Sequence, residues 1–224
     1  MAIQELKTGI YSLGANDWDR RLFDELIPLP DGTSYNSYLV KGSEKIAVID
    51  SVDPPKSEEW LANIKKLGAA SVDYIISNHA EQDHSGAIPD LLELYPEAKV
   101  VTNEKCKAFL EDLLLIPSQR FFTIRDGEVL SLGDRTLEFV FTPWVHWPET
   151  LCTYLREDRI LFSCDFFGSH LATSDLFVKN APKVIEDAKR YFAEIMMPFR
   201  VAIGKNIRKI EALDIAYIAP SHGP

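Results

Sequence analysis

One stretch limits what this chain can become: Val72-Asp73-Tyr74-Ile75-Ile76-Ser77-Asn78-His79-Ala80-Glu81-Gln82-Asp83-His84-Ser85-Gly86. The apolar run Tyr74-Ile75-Ile76 reads as a buried strand. It stops at Ser77-Asn78, and His79, Glu81, Asp83 and His84 follow at once. Neutral imidazole and ionised carboxylate are the commonest nitrogen and oxygen ligands for metals. A core has no use for four such groups, and a plain connection would be built from Gly, Pro, Ser and Asn. The stretch reads as a metal loop behind a buried strand, with room for one ion or two.

The rest of the chain supplies a scaffold of strands and helices. Ile10-Tyr11-Ser12-Leu13 is a first strand, followed by the charged connection Asn16-Asp17-Trp18-Asp19-Arg20-Arg21 and the turn Leu29-Pro30-Asp31-Gly32. Ser37–Val40 and Lys45–Asp50 read as a hairpin about Gly42-Ser43. Asp50 ends its strand in a polar position and reads as a turn or cap residue; orienting a site histidine is its alternative role. Ser57 reads as the N-cap of a helix with Trp60, Leu61, Ile64 and Leu67 on one face. A second helix carries Ile88, Leu91, Leu92 and Tyr95; Asn103 caps a third bearing Cys106, Phe109, Leu110 and Leu113.

The second half opens with strands at Phe121–Thr123, Val129–Leu132, Leu137–Phe141, Thr153–Leu155 and Ile160–Ser163. Two helices follow, the first with Val184, Ile185, Ala188, Tyr191, Phe192 and Ile195 facing inward. Pro198 separates it from a second that carries Ile203, Ile207 and Ile210. A last strand is expected at Ile215–Ile218. Each half runs strands and then helices, and no linker divides them. The expectation is one α/β domain over residues 1–224, two mixed sheets packed together with helices on both outer faces, an αββα sandwich.

Composition narrows the partners. The net charge of −10 argues against a nucleic-acid or anionic-membrane surface, since both ask for basic patches. Lys65-Lys66 and Lys205/Arg208/Lys209 read as ordinary solvated helix faces. Cys106, Cys152 and Cys164 form no CxxC pair and read as reduced cysteines packed as small hydrophobes. No leader-like segment begins the chain and no apolar run approaches about 18 residues, so a cytoplasmic protein without membrane contact is expected.

Three more polar positions follow strands as the first loop does. His146 comes after Phe139-Val140-Phe141, Asp165 after Leu161-Phe162-Ser163-Cys164, and His222 after the last strand. Strand ends on one sheet edge converge, which assembles His79, Glu81, Asp83, His84, His146, Asp165 and His222. Seven ligands exceed what one tetrahedral ion uses, so two ions are implied. Oxygen-rich sites with imidazole suit iron or manganese, with zinc still open on ligand chemistry alone. Alternation would turn Cys164 away from Asp165 if its strand continued. His170 reads first as a polar residue in an exposed loop, and otherwise as a group near the bound ligand. Trp144 and Trp147 read as packing that shields His146; Tyr35, Tyr38 and Tyr191 read as core or wall.

The pattern His79-Ala80-Glu81-Gln82-Asp83-His84, with His146, Asp165 and His222, resembles the diiron domain of the flavodiiron proteins, on the metallo-β-lactamase fold. Trp18-Asp19-Arg20-Arg21, Gly32-Thr33-Ser34-Tyr35-Asn36, Ile49-Asp50 and His146-Trp147-Pro148 carry the same resemblance, which covers essentially the whole chain. In hydrolases of that superfamily a histidine usually stands at the position of Glu81. The resemblance implies two iron ions with a bridging oxo, hydroxo or peroxo ligand. His79, Glu81 and His146 would bind one, Asp83 and His222 the other, and Asp165 would bridge, with His84 the ligand least tied to the pattern. It implies binding of O2 or NO and their reduction to water or N2O. The chain stops two residues after His222, before any flavodoxin-like domain, so no FMN site is expected. Electrons would then come from an external flavodoxin-like or rubredoxin-like donor; the alternatives are an oxygen sensor speaking to a signalling partner, or a zinc hydrolase. A homodimer is compatible with the resemblance.

Overall fold

In the computed structural model, which describes residues 3–224, alternating apolar runs become two sheets packed face to face. Strands β1 (Gln4–Lys7) and β2 (Ile10–Ser12) open the chain. Then come β3 (Ala15–Asp17), β4 (Leu22–Phe23), β5 (Ile27–Pro28) and β6 (Thr33–Tyr35), which pair as two small ribbons, β3 with β6 and β4 with β5. Strands β7 (Tyr38–Lys41), β8 (Ile46–Ile49), β9 (Tyr74–Ile76), β10 (Lys99–Thr102) and β11 (Phe121–Thr123) complete a seven-stranded sheet of order β1-β2-β7-β8-β9-β10-β11. The other sheet runs β12 (Val129–Ser131), β13 (Thr136–Phe141), β14 (Leu151–Leu155), β15 (Ile160–Cys164) and β16 (Tyr217–Pro220), in that order. Helices α1 (Ser57–Lys66), α2 (Gln82–Ser85), α3 (Ile88–Leu94) and α4 (Glu104–Leu114) belong to the first half, α5 (Ala181–Tyr191) and α6 (Arg200–Ile210) to the second.

The period of two in the strands makes this layering. Val40, Ala47, Ile49, Ile76 and Val101 face Leu137, Phe139, Leu155 and Phe162 across the centre of the sandwich. Their neighbours Leu39, Val48, Ile75 and Val100 point outward, onto Trp60 and Ile64 of α1, Leu91 of α3 and Leu110 of α4. On the opposite face Val140, Cys152, Tyr154 and Leu161 pack against Tyr191, Ile203 and Ile210. The metallo-β-lactamase-like α/β architecture is therefore present, helices outside and sheets inside.

Four local readings change. Ser57 is the first residue of α1 rather than its cap: a 3-10 turn, Pro54–Lys56, precedes it, and its hydroxyl donates to Asp90 of α3. Ile185, within α5, and Phe192 are exposed; from Phe192 a π-helical turn, Phe192–Met196, resets the face and buries Met196. The last strand starts two residues later than expected, at Tyr217. The connection after β2 also contains the two ribbons, which no periodicity of that length announces. Asn103 caps α4 as expected, accepting from the Cys106 N–H at 2.9 Å.

Trp60 measures how tightly the first layer is packed. It is fully buried and its indole N–H donates to Ser37 Oγ at 2.9 Å. Trp60→Ala should cost about 3–5 kcal/mol of stability through lost burial and the cavity left behind. Urea unfolding checks this: the midpoint should fall while the slope is unchanged.

Candidate metal centre

Direction of travel brings the polar strand ends together. Strands β8, β9 and β10 run parallel to one another, as do β15 and β16. Two antiparallel steps make β13 parallel to β15. Loops leaving the carboxyl ends of β9, β13, β15 and β16 therefore open on one edge of the sandwich, the usual place for a site in layered α/β folds.

The first loop is tied down by polar side chains at neighbouring strand ends. Asp50, with φ of 53° at the end of β8, accepts from the backbone N–H and the side-chain amide of Asn78, both at 2.8 Å. Thr153 Oγ1 donates to the Asn78 side-chain oxygen, Oδ1, at 2.7 Å, and Ser51 donates to the His84 backbone carbonyl from both its N–H and its hydroxyl. Asp50 thus holds the residue before His79 and orients no histidine directly; both its oxygens are used by Asn78. Burial pushes its pKa up to about 6, against the pull of His84 and the Asn78 hydrogen bonds.

Two clusters result. In one, His79 Nε2 and His146 Nε2 lie 3.1 and 3.0 Å from Glu81 Oε2, and 3.5 and 3.6 Å from Asp165 Oδ2. In the other, His84 Nε2 lies 3.3 Å from Asp83 Oδ1 and 3.1 Å from Asp165 Oδ1; His222 Nε2 lies 3.2 Å from Asp83 Oδ2 and 3.4 Å from Asp165 Oδ1. Asp165 faces both clusters, one oxygen to each. Tyr191 donates to its Oδ1 at 2.7 Å.

These groups fit cations. Both oxygens of Asp83, both ring nitrogens of His84 and Asp165 Oδ2 are buried and make no aligned hydrogen bond among the described residues, although Asp83, His84 Nε2 and Asp165 Oδ2 have the ion-pair contacts above. Such atoms are costly unless a charge satisfies them. Burial works against charge on the histidines, yet Asp165, Asp83 and Glu81 overcome it, holding His146 up at about 9 and His222 at about 10. Burial also opposes ionisation of Glu81 and Asp165, but the surrounding histidines hold both carboxyls well below the usual range. The field that draws protons onto these rings would equally draw metal ions, which compete for the same lone pairs.

Several neighbours differ from their sequence reading. Cys164 ends β15 with φ of 53°, so strand alternation stops there. Its sulfur comes within 4.8 Å of ligand atoms of His84 and Asp165 instead of turning away. His170 is buried rather than in an exposed loop: its Nδ1 is 2.8 Å from Thr33 Oγ1, and its ring packs on His222 and Tyr191. Burial, with His222 and His84 nearby, lowers its pKa well below the histidine norm and keeps the ring neutral. Trp147 packs edge-on against His79, whereas Trp144 is half exposed and stacks on Phe199. Gly223, at φ of 83°, lets the chain turn after His222: a Cβ there would run into Ser169 Oγ.

One residue escaped the sequence reading. Glu149 Oε1 is 2.6 Å from His79 Nδ1 and accepts the Ala80 N–H at 3.2 Å, with its side chain wholly buried. The only local signal is its place three residues after His146.

Residues 33–223 match the family model described as ODP family beta lactamase. The nitric oxide reductase of Moorella thermoacetica is 37% identical over 221 residues, covering 96% of this chain and 55% of that protein. The structure of the flavodiiron protein from Giardia intestinalis superposes with a TM-score of 0.95 at 35% identity, over 100% of this chain and 55% of the other. That of the rubredoxin oxygen:oxidoreductase from Desulfovibrio gigas gives 0.93 at 30% identity, over 99% and 56%. The chain spans about half the length of these relatives.

Proposed function

We infer the function from the family to which this chain belongs, the ODP family beta lactamases, here the metallo-β-lactamase-like diiron domain of the flavodiiron proteins. We propose that it is a non-haem diiron protein that binds O2 or NO and reduces it, to water or N2O, with electrons from an external donor. The relatives' names support the substrate class: one is a nitric oxide reductase, another a rubredoxin oxygen:oxidoreductase. The observation that carries the reading is the division of Asp165, with Oδ2 toward His79 and His146 and Oδ1 toward His84 and His222. A carboxylate so placed suits two ions rather than one.

His79, Glu81 and His146 would hold the first iron, Asp83 and His222 the second with His84 beside them, and Asp165 would bridge. Iron held by these residues would supply electrons to a diatomic ligand and offset the charge that builds on it. The protein's part is to shape and dry the site. Trp147 against His79 and Phe199 against His146 limit water. Tyr191, whose pKa burial and Asp165 raise well above the usual value, stays a neutral donor that fixes the Asp165 carboxylate. His170, held by Thr33, backs His222 without adding charge. The donor would be a flavodoxin-like or rubredoxin-like protein. Cys106, Cys152 and Cys164 are free and buried, in keeping with the reducing cytoplasm we assign to it. Among the described residues no helix is long and apolar enough to cross a membrane.

Metal analysis after native purification should find two irons per chain. Stopped-flow mixing of the reduced protein with O2 or NO should then show repeated turnover when reduced flavin or rubredoxin is supplied. Two zinc ions and no iron would sink the diiron reading in favour of a hydrolase. One oxidation without turnover would place the chain among oxygen-binding sensors.

A further inference from the structure

The histidines of the two clusters differ in what stands behind them. His79 turns Nε2 toward Glu81 and Asp165, and its Nδ1 lies 2.6 Å from Glu149 Oε1. A carboxylate only accepts, so the neutral ring carries its proton on Nδ1 and offers the Nε2 lone pair to the cluster. His222 makes the equivalent contact, 2.6 Å from Nδ1, to the backbone carbonyl of Ser34, a neutral acceptor. His84 Nδ1 has no hydrogen-bond partner among the described residues. These three rings are therefore graded: one backed by a charge, one by a dipole, one by neither.

Glu149 is built into this place. Asn103 Nδ2 donates to its backbone carbonyl at 2.6 Å, and the same Oε1 that meets His79 accepts the Ala80 N–H. Its other oxygen, Oε2, is buried with no hydrogen-bond partner among the described residues. The carboxylate's charge is thus spent mainly on the His79 ring. A carboxylate accepting from Nδ1 raises the basicity of the far nitrogen and fixes the plane of the ring. It also adds negative charge near a metal without occupying a coordination position.

We infer that Glu149 is a positioning residue that makes the His79–Glu81–His146 position the tighter of the two metal positions and lowers the reduction potential of an iron held there. This rests on the diiron reading above. The test uses the full chain, stripped of metal, as wild type, Glu149→Gln and Glu149→Ala. Anaerobic titration with Fe2+ against a chelator gives the two stepwise affinities, and a reductive titration of the iron-loaded proteins gives the potentials. Glu149→Ala should weaken one equivalent by about 10–100-fold and leave the other close to wild type. Glu149→Gln keeps an acceptor without the charge, so it should recover most of that affinity while the potential stays raised.

A purely structural role would look different. Both equivalents would weaken together, in step with a lower unfolding temperature of the metal-free chain, and Glu149→Gln would match wild type in potential. Either result, or unchanged affinities in both variants, overturns the inference. Should Glu149→Ala fail to fold, the potential of Glu149→Gln decides. Wild-type protein that takes up fewer than two irons would instead overturn the diiron reading, and this inference with it.

Discussion

Asp165→Ala should strip the protein of both irons, where Asp83→Ala strips it mainly of one. Asp165 contributes an oxygen to each cluster, 3.5 and 3.6 Å from the histidines of the first and 3.1 and 3.4 Å from those of the second. Asp83 faces only His84 and His222. Losing the shared carboxylate also removes the charge that lets two cations sit close together. The fold should survive with a measurable loss: Tyr191 would keep a buried hydroxyl without its acceptor, at about 1–3 kcal/mol. Iron per chain by colorimetric assay, beside thermal unfolding of the metal-free variants, separates loss of metal from loss of fold. A folded Asp165→Ala protein that still carries two irons would refute the shared-ligand assignment.

What could be read from the sequence divides along physical lines. The layers were legible because a strand's burial is written in its own alternation: Ile75 and Ile76 go to opposite faces whatever the rest of the chain does. The meeting of the first loop with His146, Asp165 and His222 was legible because each polar residue lies within five residues after an apolar strand, and parallel strands share an edge. Glu149 was not legible. Its partner His79 lies 70 positions away, and nothing in Trp147-Pro148-Glu149-Thr150 marks its carboxylate as buried. The burial of His170 was illegible for the same reason, since it comes from Thr33, Tyr191 and His222, all distant in the chain; of its two readings, only the exposed loop fails. Asp50 shows a third kind of gap. Its polar place at a strand end was plain, but both its oxygens go to Asn78, and only geometry could choose between that residue and the histidine beside it.

Glu81→His should move the metal preference of the first position from iron toward zinc. Glu81 Oε2 stands 3.1 Å from His79 Nε2 and 3.0 Å from His146 Nε2, so its replacement would give three imidazoles and the edge of Asp165. Two changes act together. One negative charge is removed from a buried cluster, and a hard oxygen donor is replaced by a borderline nitrogen. Zinc exceeds ferrous iron in the divalent affinity series, and a three-imidazole position suits its tetrahedral habit. The iron-to-zinc ratio of protein made with both metals present should fall at least about tenfold, equivalent to about 1.4 kcal/mol of differential binding. Glu81→Gln separates the causes, since it removes the charge without supplying a nitrogen ligand of imidazole strength. A similar shift in Glu81→Gln would assign the selectivity to charge; a shift confined to Glu81→His would assign it to the donor atom. Unchanged iron content in Glu81→His would mean that the metal is chosen by Asp165 and the second cluster rather than by Glu81.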